Sequence, residues 1–390
     1  MPLLTRLLHH LPAVGKPQRT FLLAFLLSLM TFAGRATRTN LARYGAPSPR
    51  TQARWVDGRI DVPTLTLAAL QQEGILRHPL LLVLDASFLP KSGKKTWGKG
   101  RFWDGCHSQV AGGLEISTLG LIDVYEGRAY AVDTRQTPAE STDESSRMDF
   151  YLTHVTEMKP RLPAHIQYLV VDGGYTRKGF VEGVCQQGLH LIGKLRKDAD
   201  LLYRWEGVRE KKRGAPKKYD GKVKVSDLAR FEEVSSLASG EEVRSKVVWS
   251  KSLNRAIRVV GVRTKPGAFV LFFSTDTTLA VADLLAWYRL RFQLEFVFRD
   301  GKQFTGLGEC QARSQKGQAF HHNAALLATT LLRLEERQGS ANVYSLSSAK
   351  KHRYNEALAR LVLKELSLDA DSPANQHILE KAREYGCVAA

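Results

Sequence analysis

The spacing of apolar and polar positions changes along the 390-residue chain. Residues 1–75, 318–335 and 350–386 have patterns that indicate helices. Leu80–Asp85 and Ile166–Asp172 are nearly continuous apolar runs, which predict central strands that are covered on both faces. Each of these runs ends in an aspartate.

The region between and after these runs predicts a mixed order of strands and helices. Gly113–Val124 and Ala129–Thr134 alternate as strands do, and Leu189–Lys194 is a further short strand. Met148–Met158 and Thr176–Gln187 have helical patterns. Three neighbouring strands followed by alternating helices and strands are the order of an α/β, RNase H-like fold. We therefore expect a catalytic domain over residues 76–335.

Residues 195–275 interrupt this order and predict a β-rich, basic insertion. From Lys194 to Lys224 there are 12 Lys/Arg and 5 Asp/Glu, and two short strand-like segments follow. A long helix, Val281–Lys302, is predicted after the insertion. Helical regions flank the catalytic domain at 1–75 and 336–390, and for the second we consider a role in dimerisation.

The N-terminal region contains a possible helix-turn-helix. Arg35–Tyr44 suits a short helix that Gly45 ends, and Ser48 can cap a second helix, Pro49–Asp57. Arg50 and Arg54 then lie near the start of the second helix, as in helices that read DNA. The alternative is an ordinary helical hairpin on the surface.

The longest apolar run, Phe21–Ala33, is too short for a membrane span of about 20 residues. Arginines and helix-like sequence follow it, instead of the small-residue cleavage site of a signal peptide. A buried helix is the main interpretation and a targeting segment the alternative. We expect no membrane partner.

The charge and the cysteine content limit the classes of partner and the cellular compartment that we expect. The chain has 57 Lys+Arg against 39 Asp+Glu, a net charge of +18, which favours a polyanionic partner. Nucleic acid is the first choice and an anionic membrane surface the second. The four cysteines have no zinc-finger spacing, and free thiols are typical of a reducing cytoplasm.

Three carboxylates fall where an RNase H-like fold has its acidic residues: Asp85, Asp172 and Glu295. Hydrolysis of a phosphodiester needs an activated water and a stabilised leaving oxygen, and two divalent cations supply both. Mg²⁺ prefers carboxylate oxygens. Taken singly, each aspartate is as well explained as a turn or cap residue, and Glu295 as a solvated helix residue.

The predicted helix Val281–Lys302 carries the most specific pattern. At about 100° per residue, Tyr288, Arg291, Glu295 and Lys302 share one face about 60° wide. Arg299 falls on the same side. Cations beside a carboxylate suit a metal ligand next to a phosphate clamp. The alternative is a helix face on which Glu295 pairs with Arg291 and Arg299.

With these motifs the chain resembles the IS4-type DDE transposases of bacterial insertion sequences. The resembling segments are Val-Leu-Asp85-Ala-Ser, Val-Val-Asp172-Gly-Gly-Tyr and the helix signature, within residues of about 75–330. Pro90–Thr96 and Gly112–Ser117 also look like that family.

The resemblance implies an enzyme that binds terminal inverted repeats, pairs two ends as a homodimer, cleaves them and joins the freed 3′-OH to target DNA. Asp85, Asp172 and Glu295 would be ligands of two Mg²⁺ ions, for which Mn²⁺ can substitute. Tyr288, Arg291 and Lys302 would bind phosphates near the cleaved end.

Several relatives form a DNA hairpin and stack a flipped base on an aromatic residue. Trp205 and Trp249 lie in the insertion and are candidates for this role, although each is also well explained as a tryptophan of the insertion core.

Two basic segments are weaker candidates for DNA contact. The loop after the first strand carries cations and tryptophans, among them Lys94, Lys95 and Arg101. The run Arg209–Lys218 includes Lys211, Lys212 and Arg213 and suits contact with the DNA backbone. Solvated loops are the alternative in both cases.

Two other functions stay open. One is a catalytically inactive, domesticated transposase that only binds DNA, and the other is an RNase H-like nuclease without strand transfer. A transposase with bound double-stranded DNA would be found in the bacterial cytoplasm, associated with the nucleoid.

Overall fold

The computed structural model describes residues 3–9, 14–56, 60–139, 146–207, 216–234, 242–265, 268–339 and 345–387. Its helices are α1 (Leu3–His9), α2 (Lys16–Thr31), α3 (Arg38–Arg43), α4 (Pro49–Val56), α5 (Val62–Gln72), α6 (Arg147–Met158), α7 (Lys178–Gln186), α8 (Val281–Leu290), α9 (Gln293–Phe304), α10 (Gln315–Gly339), α11 (Leu346–Glu365) and α12 (Pro373–Glu384). Its strands are β1 (Leu80–Pro90), β2 (Gly100–Asp104), β3 (Gln109–Asp123), β4 (Arg128–Gln136), β5 (Tyr168–Val171), β6 (His190–Lys194), β7 (Leu201–Arg204), β8 (Tyr219–Lys222), β9 (Glu232–Glu233), β10 (Val243–Ser250), β11 (Arg255–Lys265) and β12 (Ala268–Ser274).

The described strands form one large sheet whose core has the RNase H-like order. β4, β3 and β1 are antiparallel neighbours, and β5 and β6 run parallel to β1. Helices α6 and α7 pack against each other along the chain between these strands. The α/β, RNase H-like prediction is confirmed.

The β-rich segment after β6 continues the same sheet. β12 pairs antiparallel with β6, and β11, β10, β7 and β8 follow outward in that order. The chain returns to the core through α8 directly after β12. The inserted strands are therefore joined through β6 to the part of the sheet that holds the predicted aspartates.

Two predicted element boundaries were wrong. Asp85 does not end its strand: β1 continues to Pro90 because the long strand β3 pairs with it along its whole length. The loop predicted after that strand contains β2, which forms a hairpin with the start of β3. Arg101 and Trp103 face solvent in this hairpin and alternate with buried Phe102 and Asp104.

The helix predicted over Val281–Lys302 is divided into α8 and α9. The amide of Arg291 donates to the carbonyl of Tyr288 at 3.2 Å, and the amide of Leu294 donates to that of Arg291 at 3.1 Å. These bonds span three residues instead of four, so the helix tightens into a 3₁₀ turn at Arg291. Lys302 nevertheless lies within α9.

Helix α10 is the centre of the helical layer. It contacts β4 of the sheet and helices α2, α4, α5, α9 and α11. Phe21 and Phe25 of α2 pack against Phe320 of α10 at ring-centroid distances of 6.0 and 5.5 Å. The apolar run Phe21–Ala33 thus lies largely in a buried helix, and no helix in the described part of the chain has the length and hydropathy of a bilayer span.

The N-terminal helices share one hydrophobic core with the central sheet. In the proposed helix-turn-helix, Ser48 accepts a hydrogen bond from the amide of Thr51 at 3.3 Å and so caps α4. Gln52 is buried and donates to the carbonyls of Arg38 and Pro47, which fixes α4 against the start of α3 and the connection between the two helices. Arg50 and Arg54 stay exposed. The division into domains and the DNA-reading role of α4 stay predictions.

Two buried histidines on α10 predict a pH dependence of stability. Burial lowers the pKa of His321 to about 4 and that of His322 to about 3, so both are neutral in the folded protein near pH 7. The unfolded chain takes up these protons from about pH 6.5 downward. The free energy of unfolding should therefore fall between pH 6.5 and 4, by about 1.4 kcal/mol per pH unit for each histidine.

Urea unfolding at a series of pH values measures this slope. A His321→Gln, His322→Gln variant is less stable overall but should show a shallower slope in that window. His377→Gln, which changes a solvent-exposed histidine, is the control. An unchanged slope in the double variant would contradict the assignment.

Candidate active site

The predicted ligands Asp85 and Asp172 lie next to each other on neighbouring strands. β1 and β5 are parallel, with Leu84 opposite Val171, and the next residue on each strand is the aspartate. Asp172 keeps an extended backbone, with φ −73° and ψ 166°. Residues at equivalent positions of adjacent parallel strands lie about 4.8 Å apart and point to the same face. The end of β5 therefore places Asp172 beside the middle of β1.

Glu295 reaches this pair from the first turn of α9, through an arginine. Arg291 donates from Nη1 to Oδ2 of Asp85 and from Nη2 to Oε1 of Glu295, both at 2.9 Å. One guanidinium thus connects two carboxylates that are 210 residues apart in the chain. The structure brings all three predicted ligands to one region.

Arg291 is held in place by burial and by an aromatic neighbour. Its side chain is 13% exposed, and its guanidinium carbon lies 5.9 Å from the ring centroid of Tyr288. Tyr288 in turn packs against Phe272 of β12, with ring centroids 4.6 Å apart. The third donor atom of Arg291, Nε, is buried and has no hydrogen-bond partner among the described residues.

The surroundings of Asp85 disfavour its charged form. Burial raises the pKa of Asp85 to about 6, against the opposing effect of Arg291, and the carboxylates of Asp172 and Glu295 raise it further. A bound cation beside Asp85 would counteract both effects. The donor set therefore fits one or more divalent cations, because carboxylate oxygens are the ligands that Mg²⁺ prefers and a cation would offset this repulsion.

A second group of side chains has ligand atoms close enough together to bind one metal ion. Among the described residues, ligand atoms of His78, Asp123 and Glu126 all lie within 4.8 Å of one another. Its members already have partners: Asp123 accepts from the amides of Tyr125 and Glu126, and Glu126 pairs with Arg337. This group is explained as the turn between β3 and β4, and it contains none of the predicted ligands.

The two other cations of the signature region have different surroundings. Lys302 is half-buried, and burial lowers its pKa, while the nearby carboxylate of Asp104 at the end of β2 acts in the opposite direction. Arg299 does not pair with Glu295 as the helical wheel allowed. It donates to Asp300 at 2.9 Å, and its guanidinium carbon lies 4.8 Å from the ring centroid of Phe296. Its role in DNA binding stays a prediction.

The remaining candidates lie outside this centre. Lys94, Lys95 and Arg101 are exposed, in the β1–β2 connection and on β2. Trp205 follows β7 and is covered on one face by Lys217, whose Nζ lies 3.8 Å from the ring centroid. Trp249 on β10 packs against Tyr219 at 5.9 Å. Lys211, Lys212 and Arg213 lie outside the described residues.

Sequence reasoning missed two features of the site. The four-residue spacing indicated the contact of Arg291 with Glu295 but gave no sign of the one with Asp85, which depends on how α9 crosses β1. Tyr175, which follows the second aspartate motif, is buried against Tyr151 and Phe180, with ring centroids 5.1 and 5.6 Å away. Its place in the sequence next to Gly173-Gly174 was visible, but its structural role was not.

A comparison with protein-family models matches residues 77–331 to a family described as a transposase DDE domain. This range covers both aspartates, the inserted strands and the whole of α9. No match was found among curated proteins.

The contacts of Arg291 predict a large loss of stability on its removal. In Arg291→Met, two carboxylates lose their common cation; breaking a buried pair costs about 3–5 kcal/mol, and we expect a loss of about 2–3 kcal/mol here because Glu295 is 40% exposed. Adding Asp85→Asn to this variant should recover part of the loss, because the uncompensated charge then disappears.

Chemical denaturation without divalent cations measures these differences. Arg299→Met is the matched control, since Arg299 is 54% exposed and should cost less than about 1 kcal/mol. Equal losses for the two arginines, or no recovery in the double variant, would show that Arg291 does not bridge the carboxylates.

Proposed function

Because the chain belongs to the family of transposase DDE domains, we propose that it is a DNA transposase that cleaves the ends of its element and joins the 3′-OH ends to target DNA. The observation that carries this proposal is the convergence of Asp85, Asp172 and Glu295 around one arginine. The spacing of Tyr288, Arg291, Glu295 and Lys302 supports the finer assignment to the IS4 type.

Asp85, Asp172 and Glu295 would hold two Mg²⁺ ions, with Mn²⁺ as a substitute. Two such ions activate a water or 3′-OH as nucleophile and stabilise the leaving oxygen of a phosphodiester. Asp85 is fixed by β1 and Asp172 by the adjacent end of β5, so the sheet sets their separation. Glu295 is 40% exposed at the start of α9 and has the most freedom to adjust.

The cations around these carboxylates would position the DNA backbone. Arg291 presents a planar fork that binds two oxygens of a phosphate as well as it now binds two carboxylates. Tyr288 supports its guanidinium from the side of β12. Lys302, two turns beyond Glu295 on α9, would contact a neighbouring phosphate.

Contacts farther from the centre would position the rest of the DNA. A net charge of +18 favours binding to the backbone. Lys94, Lys95 and Arg101 extend the basic surface beside the site, and Arg50 and Arg54 on α4 are the candidates for reading the terminal repeat. Trp205 is partly exposed and so offers a stacking surface if the ends close as hairpins, whereas Trp249 is more enclosed by the insertion strands. A homodimer would hold the two ends together.

The central test is cleavage and joining with DNA that carries the ends of the protein's own element, in Mg²⁺. The parent should cleave and join, whereas Asp85→Asn and Glu295→Gln should bind the DNA normally but lose more than about a hundredfold in cleavage rate. The expected loss exceeds the 10–100-fold effect of residues that only support a metal ligand.

Asp198→Asn is the control for charge, because Asp198 is an exposed carboxylate paired with Arg196 in the insertion. Full cleavage by either site variant would refute the assignment. Binding without cleavage by the parent itself would favour the domesticated DNA-binding protein, and cleavage without joining would favour the nuclease.

Metal binding is tested separately from activity, by thermal unfolding without DNA. Mn²⁺ or Mg²⁺ at about 100 times its dissociation constant should stabilise the parent by about 2.7 kcal/mol per ion bound, seen as a rise in Tm. Asp85→Asn should lose this rise, and Glu126→Gln, which alters the cluster at the β3–β4 turn, should keep it. The reverse pattern would place the metal at the turn.

A further inference from the structure

The β2–β3 hairpin has one closed face and one open face. On the closed face Phe102 is buried, and the guanidinium carbon of Arg147 lies 4.9 Å from its ring centroid. On the open face Trp103 is 58% exposed, and Val110, its partner across the two strands, is 49% exposed. Single exposed apolar residues are ordinary. These two form one continuous surface, because the Cβ atoms of such cross-strand partners are about 5 Å apart.

The charge on the open face is positive. Arg101 lies on the same side of β2 as Trp103, and its Nη2 is 3.5 Å from the carbonyl oxygen of Val110. Among the described residues, no carboxylate forms an ion pair with Arg101. Gly112 lies opposite Arg101 and has no side chain to cover the backbone, and Cε of Lys99 is 4.0 Å from the position that a Cβ of this glycine would take. The open face therefore combines an aromatic ring, cations and accessible backbone.

The tip of the hairpin is fixed by hydrogen bonds. The carboxylate of Asp104 accepts from the amide of Cys106 at 3.0 Å and contacts Nδ1 of His107 at 2.7 Å. Asp104 is the one acidic residue in the sequence from 99 to 112, and its side chain belongs to the closed face. It is also near enough to Lys302 of α9 to oppose the effect of burial on the pKa of that lysine. The hairpin is thus preformed, and its tip borders the predicted phosphate contacts.

The open face belongs to the side of the sheet that carries Asp85. Trp103 pairs with Val110 and Asp85 pairs with Thr118, and the two partners are eight residues apart on β3. Side chains of a strand alternate between the two sides of a sheet, so an even separation places both pairs on the same side. At about 3.3 Å per residue, the two pairs are at most about 26 Å apart, which is the length of about eight base pairs of DNA.

We propose that the β2–β3 hairpin is a β-ribbon whose open face enters a groove of duplex DNA within about eight base pairs of the cleaved bond and reads its sequence. The major groove admits a two-stranded ribbon. In that position Arg101 would donate to base edges, of which guanine offers the best pair of acceptors, and Trp103 and Val110 would contact thymine methyl groups. The inference rests on the proposed function for the choice of DNA as the partner.

Duplex DNA fits the open face better than a protein does. Cations surround the aromatic ring, and Lys94 and Lys95 continue the positive charge in the connection before β2. The apolar pair of Trp103 and Val110 is far smaller than the total of about 1,200–2,000 Å² that specific protein complexes bury. A small apolar contact is sufficient in a DNA complex, because phosphate contacts supply much of the affinity.

DNA binding at a series of salt concentrations tests the contact of Trp103. The probe is a duplex with an end of the protein's own element, extending about ten base pairs to each side of the cleaved bond. Trp103→Ala should weaken binding about tenfold without changing the slope of log affinity against log salt, because no phosphate contact is lost. Tyr125→Ala, which removes an exposed aromatic side chain from the β3–β4 turn, is the matched control and should change neither quantity.

Substitution of single base pairs in the same duplex tests whether the hairpin reads sequence. The parent should prefer particular base pairs at one or more positions within about eight base pairs of the cleaved bond. Arg101→Lys keeps the charge but loses the planar fork, so it should reduce this preference about fivefold or more while the affinity for a scrambled duplex stays the same. A parent without any base preference in this window would overturn the proposed reading.

Quenching of tryptophan fluorescence by acrylamide locates the contact directly. The difference between the parent and Trp103→Phe reports the accessibility of Trp103, which should fall severalfold when the duplex saturates the protein. A single strand of the same sequence has no groove and should protect Trp103 less.

Trp103 that stays accessible in the saturated duplex complex, or Trp103→Ala that binds like the parent, would overturn the proposal and leave the open face to a protein partner. Cleavage by the parent in such a case would keep the catalytic assignment intact. Protection of Trp103 in a parent that does not cleave would support the ribbon and contradict the proposed function alone.

Discussion

The candidate active site brings like charges together in a place where burial raises the free energy of their charged forms. Three carboxylates meet at the place where β5 ends and α9 crosses β1, and their mutual repulsion adds to the burial that raises the pKa of Asp85. Such a cluster of carboxylates destabilises the folded state unless nearby cations compensate its charge. Arg291 provides that compensation through two hydrogen bonds, and the short 3₁₀ turn between α8 and α9 determines where its guanidinium lies.

The rest of the fold makes this arrangement rigid. Asp85 lies in the middle of a strand that is paired along its whole length on one side and beside β5 on the other, so its backbone has little freedom. The inserted strands continue the central sheet outward from β6. Phe272 of β12, the inserted strand next to β6, supports Tyr288 and through it Arg291. The insertion therefore contributes, through Tyr288, to the position of the cation at the centre.

Much of the fold followed from local pattern. The apolar runs at Leu80–Asp85 and Ile166–Asp172 identified the central strands, because strands buried on both faces leave little choice of residue. Ser48 and Pro49 marked the start of α4 correctly. What the pattern did not show were features set by distant partners: β1 runs past Asp85 because β3 pairs with it, and β2 is a strand because it folds back on β3. The spacing of residues along the predicted helix identified the candidate site. It did not predict the hydrogen bond from Arg291 to Asp85, because this bond joins residues 206 positions apart in the chain.

The position of Arg291 has a consequence for how the site works with DNA. Its Nη1 and Nη2 each donate to one carboxylate, and the same planar fork has the geometry that a phosphate requires. A phosphate that drew the guanidinium toward itself would leave Asp85 and Glu295 with uncompensated charge, which strengthens their attraction for divalent cations. Conversely, cations on the carboxylates would release the arginine for the phosphate. In the proposed function, DNA and metal binding would then be coupled through one side chain, and linkage would require that each strengthens the other by the same factor.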